Sequence, residues 1–162
     1  MRIVISACLL GMRVRYDGGH KAWDLVEKMV QAGVTFIPIC PEAESGLGVP
    51  REPMRLEGDP SSPFLRTLVT RKDHTQSVTD WIEGRLERLG SEGVDGFLLK
   101  SRSPSCGVID VPVYDDHGVA QEGGEGLFAR ACKRHFSALS VAERELMTDW
   151  PTVVAFLESL RR

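Results

Sequence analysis

No stretch of this 162-residue chain is long and apolar enough to cross a bilayer. No basic, apolar leader precedes the first strand-like run, so nothing in the sequence marks secretion and a cytosolic protein is expected. Basic residues are not in excess. Twenty Lys and Arg stand against 23 Asp and Glu, a net charge of −3, which excludes a chain-wide nucleic-acid surface. The basic pairs Arg13 with Arg15, Arg71 with Lys72, and Arg161 with Arg162 read as solvated surface. Internal repeats and low-complexity tracts are absent, which excludes a solenoid or an extended linker. No Cys-x-x-Cys pair occurs, so a zinc ribbon or a thioredoxin-type redox pair has no support.

What is present is a set of four cysteines. In a reducing compartment these are expected to be metal ligands or catalytic groups rather than disulfides. Three of them follow apolar runs. Ile3-Val4-Ile5 leads to Cys8, Val34 to Ile39 leads to Cys40, and Phe97-Leu98-Leu99 leads through a Ser- and Pro-containing loop to Cys106. Cys132 differs. It lies beside Phe128 in a helix-like segment, where a small buried thiol is common.

Between the strand-like runs lie helix-like patterns. Ala22, Leu25, Val26, Met29 and Val30 share one helical face, with Gly33 placed as a terminator. Val78, Ile82, Leu86 and Leu89 form another face, in a helix opened by Asp73 or Thr75. Leu127, Phe128, Ala131, Cys132 and Phe136 form a third. Pro151 starts a last helix with Val154, Leu157 and Leu160 inward. Pro41 to Pro63 holds five prolines and is expected to be a long shaped loop. Pro38 is awkward for a central strand, so that strand is expected to end early. Ser140-Val141-Ala142-Glu143 has capping-box spacing. The Gly123–Gly126 run at a helix start reads either as a plain turn or as amides free to bind a phosphate.

Alternating strands and helices predict an α/β fold over residues 1–162 as a single domain, a Rossmann-like, mainly parallel sheet with helices on both faces. In such a sheet the loops after the strands emerge at one edge, where ligands bind. Cys8, Cys40 and Cys106 would then meet there. Three thiolates suit zinc with an open position or an iron–sulfur cluster with one open iron, and spacing does not choose between them.

Three motifs carry a resemblance. Ser6-Ala7-Cys8-Leu9-Leu10-Gly11 with Tyr16-Asp17-Gly18, then Cys40-Pro41-Glu42 through Gly46-Leu47-Gly48-Val49-Pro50-Arg51, then Ser103-Pro104-Ser105-Cys106-Gly107, are similar to those of the thiouracil desulfidase family. The resemblance spans nearly the whole chain. It implies a [4Fe-4S] cluster held by Cys8, Cys40 and Cys106, and non-redox removal of sulfur from a thiolated uracil base or nucleotide. The substrate sulfur would bind the open iron, and Glu42 would activate water. A Ser of the third motif is the other expected catalytic group, Ser103 first. Ser101, Ser105, Arg51 and Lys100 are expected to contact substrate. The family pattern carries Gly where Ser45 stands here, and Glu44 adds a second carboxylate. Some relatives bear a further domain and act on transfer RNA. Its absence from this sequence favours a small thiolated pyrimidine as partner, with no membrane and no assigned oligomeric state. Competing readings are a non-enzymatic iron–sulfur sensor or sulfur-trafficking module, and a zinc hydrolase.

Overall fold

The structure is a computed structural model that describes residues 1–161. Its centre is a four-stranded sheet built from β1 (Arg2–Ser6), β2 (Thr35–Ile39), β5 (Gly96–Leu99) and β8 (Ser140–Glu143), in the order β2-β1-β5-β8. Every neighbouring pair in it is parallel. Strand side chains alternate between faces, and here both faces are covered. Ile3, Ile5 and Leu98 pack on one side with Met29 of α1 (Leu25–Gln31) and with Val153, Phe156 and Leu157 of α4 (Trp150–Ser159). Val4, Phe97 and Leu99 pack on the other with Val78, Ile82, Leu86 and Leu89 of α2 (Thr75–Glu92) and with Phe128 and Cys132 of α3 (Leu127–His135). The Rossmann-like α/β fold with helices on both faces is therefore what the chain adopts.

A second four-stranded sheet comes from two insertions. β3 (Met54–Asp59) and β4 (Ser62–Thr67) form a hairpin between β2 and α2, and β6 (Val111–Tyr114) and β7 (Ala120–Gly124) form another between β5 and α3. β3 and β6 pair in parallel, giving the order β4-β3-β6-β7. Leu56, Leu65, Val111 and Val113 of this sheet join the core under α2 and α3.

Several local expectations change. The proline-rich segment is not loop throughout, because β3 begins inside it at Met54. Pro38 stays within β2, paired opposite Ile5. β2 is an edge strand, where a missing amide costs no ladder bond. Ser140–Glu143 forms β8 rather than a helix cap. In α4 the buried positions are Val153, Phe156 and Leu157, one residue off the expected register at its start. Its cap is Asp149, whose carboxylate accepts from the Thr152 amide at 2.9 Å.

Candidate active site

A cavity of about 280 Å³ opens at the C-terminal edge of the parallel sheet. The chain after β1 supplies Cys8, the chain after β2 supplies Cys40 and Glu42, and the loop after β5 supplies Lys100, Ser103, Ser105 and Cys106. The topology thus brings together side chains that lie almost 100 residues apart. Cys8 and Cys106 are buried and Cys40 is half-buried, and none forms a disulfide. Cys132 sits in the core under α3, away from the cavity lining.

Each loop is held by its own bonds. A tight turn at Ala7–Leu10 closes on Gly11, whose φ of +85° suits glycine. Ser6 ties the ends of β1 and β5 together, its Oγ accepting from the Lys100 amide at 2.9 Å. Ser103 Oγ accepts from the amides of Ser105 at 3.2 Å and Cys106 at 3.0 Å, which curls the loop around the thiol. The same loop rests on the start of α3. The amides of Gly126, Leu127 and Phe128 donate to the carbonyls of Gly107, Pro104 and Ser105 at 2.8, 3.1 and 2.8 Å. Those amides are therefore spent within the protein, which removes the phosphate reading of Gly123–Gly126. Glu125 beside them pairs with Lys133 and Arg130.

Glu42 is the one carboxylate that lines the cavity. Its Oε1 accepts from Ser105 Oγ at 2.9 Å and its Oε2 from Arg51 Nε at 2.9 Å. Glu44 turns back instead, its carboxylate accepting from the Cys40 amide at 2.7 Å. Ser45 donates to the Glu42 carbonyl at 3.1 Å. Arg51 also donates through Nη1 to the carbonyls of Val14 at 2.9 Å and Gly48 at 3.0 Å. Lys100 lines the cavity, with Nζ donating to the Ser101 carbonyl at 2.9 Å. Ser101 itself does not line it; its side chain is buried elsewhere. Ser6, Arg15 and Tyr16 line the cavity although no role was expected of them. Only their place in or next to the first cysteine motif could have signalled this.

Burial pushes all three cavity thiols above the ordinary cysteine range. The positive charge of Lys100 opposes this at Cys8, and the neighbouring Ser6 hydroxyl opposes it at Cys106. Such thiols stay protonated at neutral pH unless something cationic takes the proton's place. Among the described residues, no three His, Cys, Asp or Glu side chains converge closely enough to hold a single metal ion. Three soft donors set around a wider cavity fit a polynuclear iron–sulfur cluster. No described helix is long and apolar enough to cross a membrane.

The sequence model of the 2-thiouracil desulfurase family matches residues 3–144. Protein YbbK of Bacillus subtilis, itself uncharacterised, is 33% identical over 112 residues, which cover 65% of this chain and 72% of the relative. A solved structure of the [4Fe-4S]-dependent thiouracil desulfidase TudS superposes with a TM-score of 0.73 at 29% identity, covering 95% of this chain and 97% of that one.

Proposed function

The chain belongs to the 2-thiouracil desulfurase family, and from that premise we propose that it hydrolyses the C–S bond of a thiolated uracil base or nucleotide, releasing sulfide and leaving the oxo base. The observation that carries this reading is the meeting of Cys8, Cys40, Cys106 and Glu42 around one cavity. The three thiols, as thiolates, would hold a [4Fe-4S] cluster. When bound, that cluster supplies a thiophilic iron without a protein ligand, which polarises the C–S carbon toward attack.

The remaining chemistry belongs to the chain. Replacing C=S by C=O consumes one water and yields hydrogen sulfide, with no net electron transfer. Glu42, fixed through both oxygens, takes a proton from the attacking water. Ser105, already bonded to Glu42, is placed to pass that proton toward the departing sulfur. Ser103 keeps the loop curled around Cys106, with its own hydroxyl hydrogen free for the pyrimidine. Lys100 puts a positive charge beside Cys8 and offsets the anionic character of a thiolate-ligated cluster. Cavity walls of Ala7, Val14, Ile39 and Met54 accept the ring's apolar faces.

The test is anaerobic cluster reconstitution, with iron and sulfide quantified, followed by incubation with a panel of thiolated bases and nucleotides. Sulfide release matched by the oxo product supports the reading. Glu42→Gln should keep its iron and lose turnover by at least about 10²-fold. A fully loaded Glu42→Gln enzyme with undiminished turnover would remove Glu42 from its role.

A further inference from the structure

We propose that Arg51 is the positioning residue of this site, aiming the Glu42 carboxylate by tying it to the loop after β1, and does not contact substrate; this rests on the reading of Glu42 as the base. Three N–H groups of its guanidinium are engaged. Nε holds Glu42 Oε2, and Nη1 bridges the carbonyls of Val14 and Gly48. The side chain is only 8% exposed. One planar group therefore joins three segments: the loop that follows Cys8, the turn that carries Glu42, and the glycine bend beyond it. The backbone repeats the link, with the Arg51 amide donating to the Tyr16 carbonyl at 2.9 Å.

The Val14 carbonyl makes this more than a salt bridge. It accepts from Arg51 Nη1 and also from the Cys40 thiol, at 3.7 Å. Through Nη1 and its own amide, Arg51 holds the loop after β1 while Nε holds Glu42. A lysine cannot replace it, because one ammonium has no planar fork with which to serve Glu42 and two carbonyls in these directions. Displacing a base by about 1 Å costs on the order of 10²-fold in rate.

The experiment compares Arg51→Ala, Arg51→Lys and Glu42→Gln with the wild type, all cluster-loaded and supplied with a thiouracil that the wild type turns over. Arg51→Ala is expected to lose about 10²-fold in kcat with KM changed less than about threefold. Arg51→Lys should recover little, and added guanidinium should restore Arg51→Ala at least about tenfold. In the metal-free protein, Arg51→Ala should speed amide exchange over residues 14–16 and 46–48. A large rise in KM with kcat kept would make Arg51 a substrate contact and overturn the proposal. Unchanged kcat and KM would overturn it too, as would loss of iron that guanidinium does not rescue. If Glu42→Gln retains wild-type turnover, it is the assignment of the base that falls, a result independent of the Arg51 variants.

Discussion

Ser105 donates to Glu42, whereas Ser103 accepts from two amides of its own turn. The two serines of one motif should therefore fail differently. Ser105→Ala removes a partner of Glu42, the proposed base, so turnover should fall while iron content holds. Ser103→Ala leaves two amides of the Cys106 loop without their acceptor, at about 1–3 kcal/mol for a buried group left unpaired. Its defect should appear as iron lost during gel filtration. The reverse pattern, with Ser103→Ala fully loaded and slow, would exchange their roles. A second carboxylate gives a prediction about stability. Glu57 on β3 is buried and bonded to Arg71 at 2.5 Å and Arg55 at 2.7 Å, and these guanidiniums hold it down to about 2 from an ordinary 4.5. Its lowered value means that the stabilisation is complete above the unfolded value and is lost as pH falls from about 4.5 towards 2. After allowance for the exposed Arg71, the loss is on the order of 1–2 kcal/mol. Urea unfolding of Glu57→Gln should show a flatter midpoint across this range than the wild type; an identical slope would deny Glu57 its share of the acid sensitivity.

At the scale of elements, the cysteine loop after β5 depends on the first turn of α3. Gly126 has no room for a side chain, since a Cβ there would lie 2.5 Å from the Ser105 carbonyl carbon and 2.8 Å from the Cys106 amide nitrogen. Gly126→Ala must push α3 away from the loop that presents Cys106. Overpacking of this kind costs about 1–3 kcal/mol, and cluster occupancy should fall with the melting temperature. An Ala variant with wild-type iron content would show that loop and helix are not coupled. None of this contact was readable from sequence, where Gly123–Gly126 looked like a turn or a phosphate cradle, because the acceptors of its amides lie 19 to 23 residues away in the chain. The parallel strands were readable for the opposite reason. Both their faces are buried, so Ile3-Val4-Ile5 and Phe97-Leu98-Leu99 stand as unbroken apolar runs. β3 was hidden because the face opposite Leu56 carries Arg55, Glu57 and Asp59 and its flanks carry Pro53 and Pro60. Short β8 was masked by a Ser and a Glu at cap-like spacing, and its Glu143 in fact accepts from the Val108 and Ile109 amides beyond the cysteine loop. Glu42 and Ser105 were expected at the site through their motifs and do line the cavity, but that the buried Ser101 would not was hidden, since Ser101, Ser103 and Ser105 sit in one run of hydroxyls.

Across the whole molecule, the site is laid over a sheet that does not need it. The two core clusters, one with α1 and α4 and the other with α2 and α3, are built mainly from strand and helix side chains, and of the cavity thiols Cys8 belongs to the first and Cys106 to the second. A cluster bound by three thiols would bind the folded chain far better than the unfolded one and so would add stability by mass action. It would fasten together the loop layer after β1, β2 and β5. Removing iron by chelation under mild oxidation should therefore lower the melting temperature while leaving far-ultraviolet circular dichroism unchanged. Faster amide exchange should be confined to residues 8–21, 40–53 and 100–110, with Ile3 to Ile5 and Phe97 to Leu99 still protected. If exchange instead rose throughout the parallel sheet, the fold would depend on its cofactor, and the division between a self-sufficient core and a cofactor-fastened rim would be wrong.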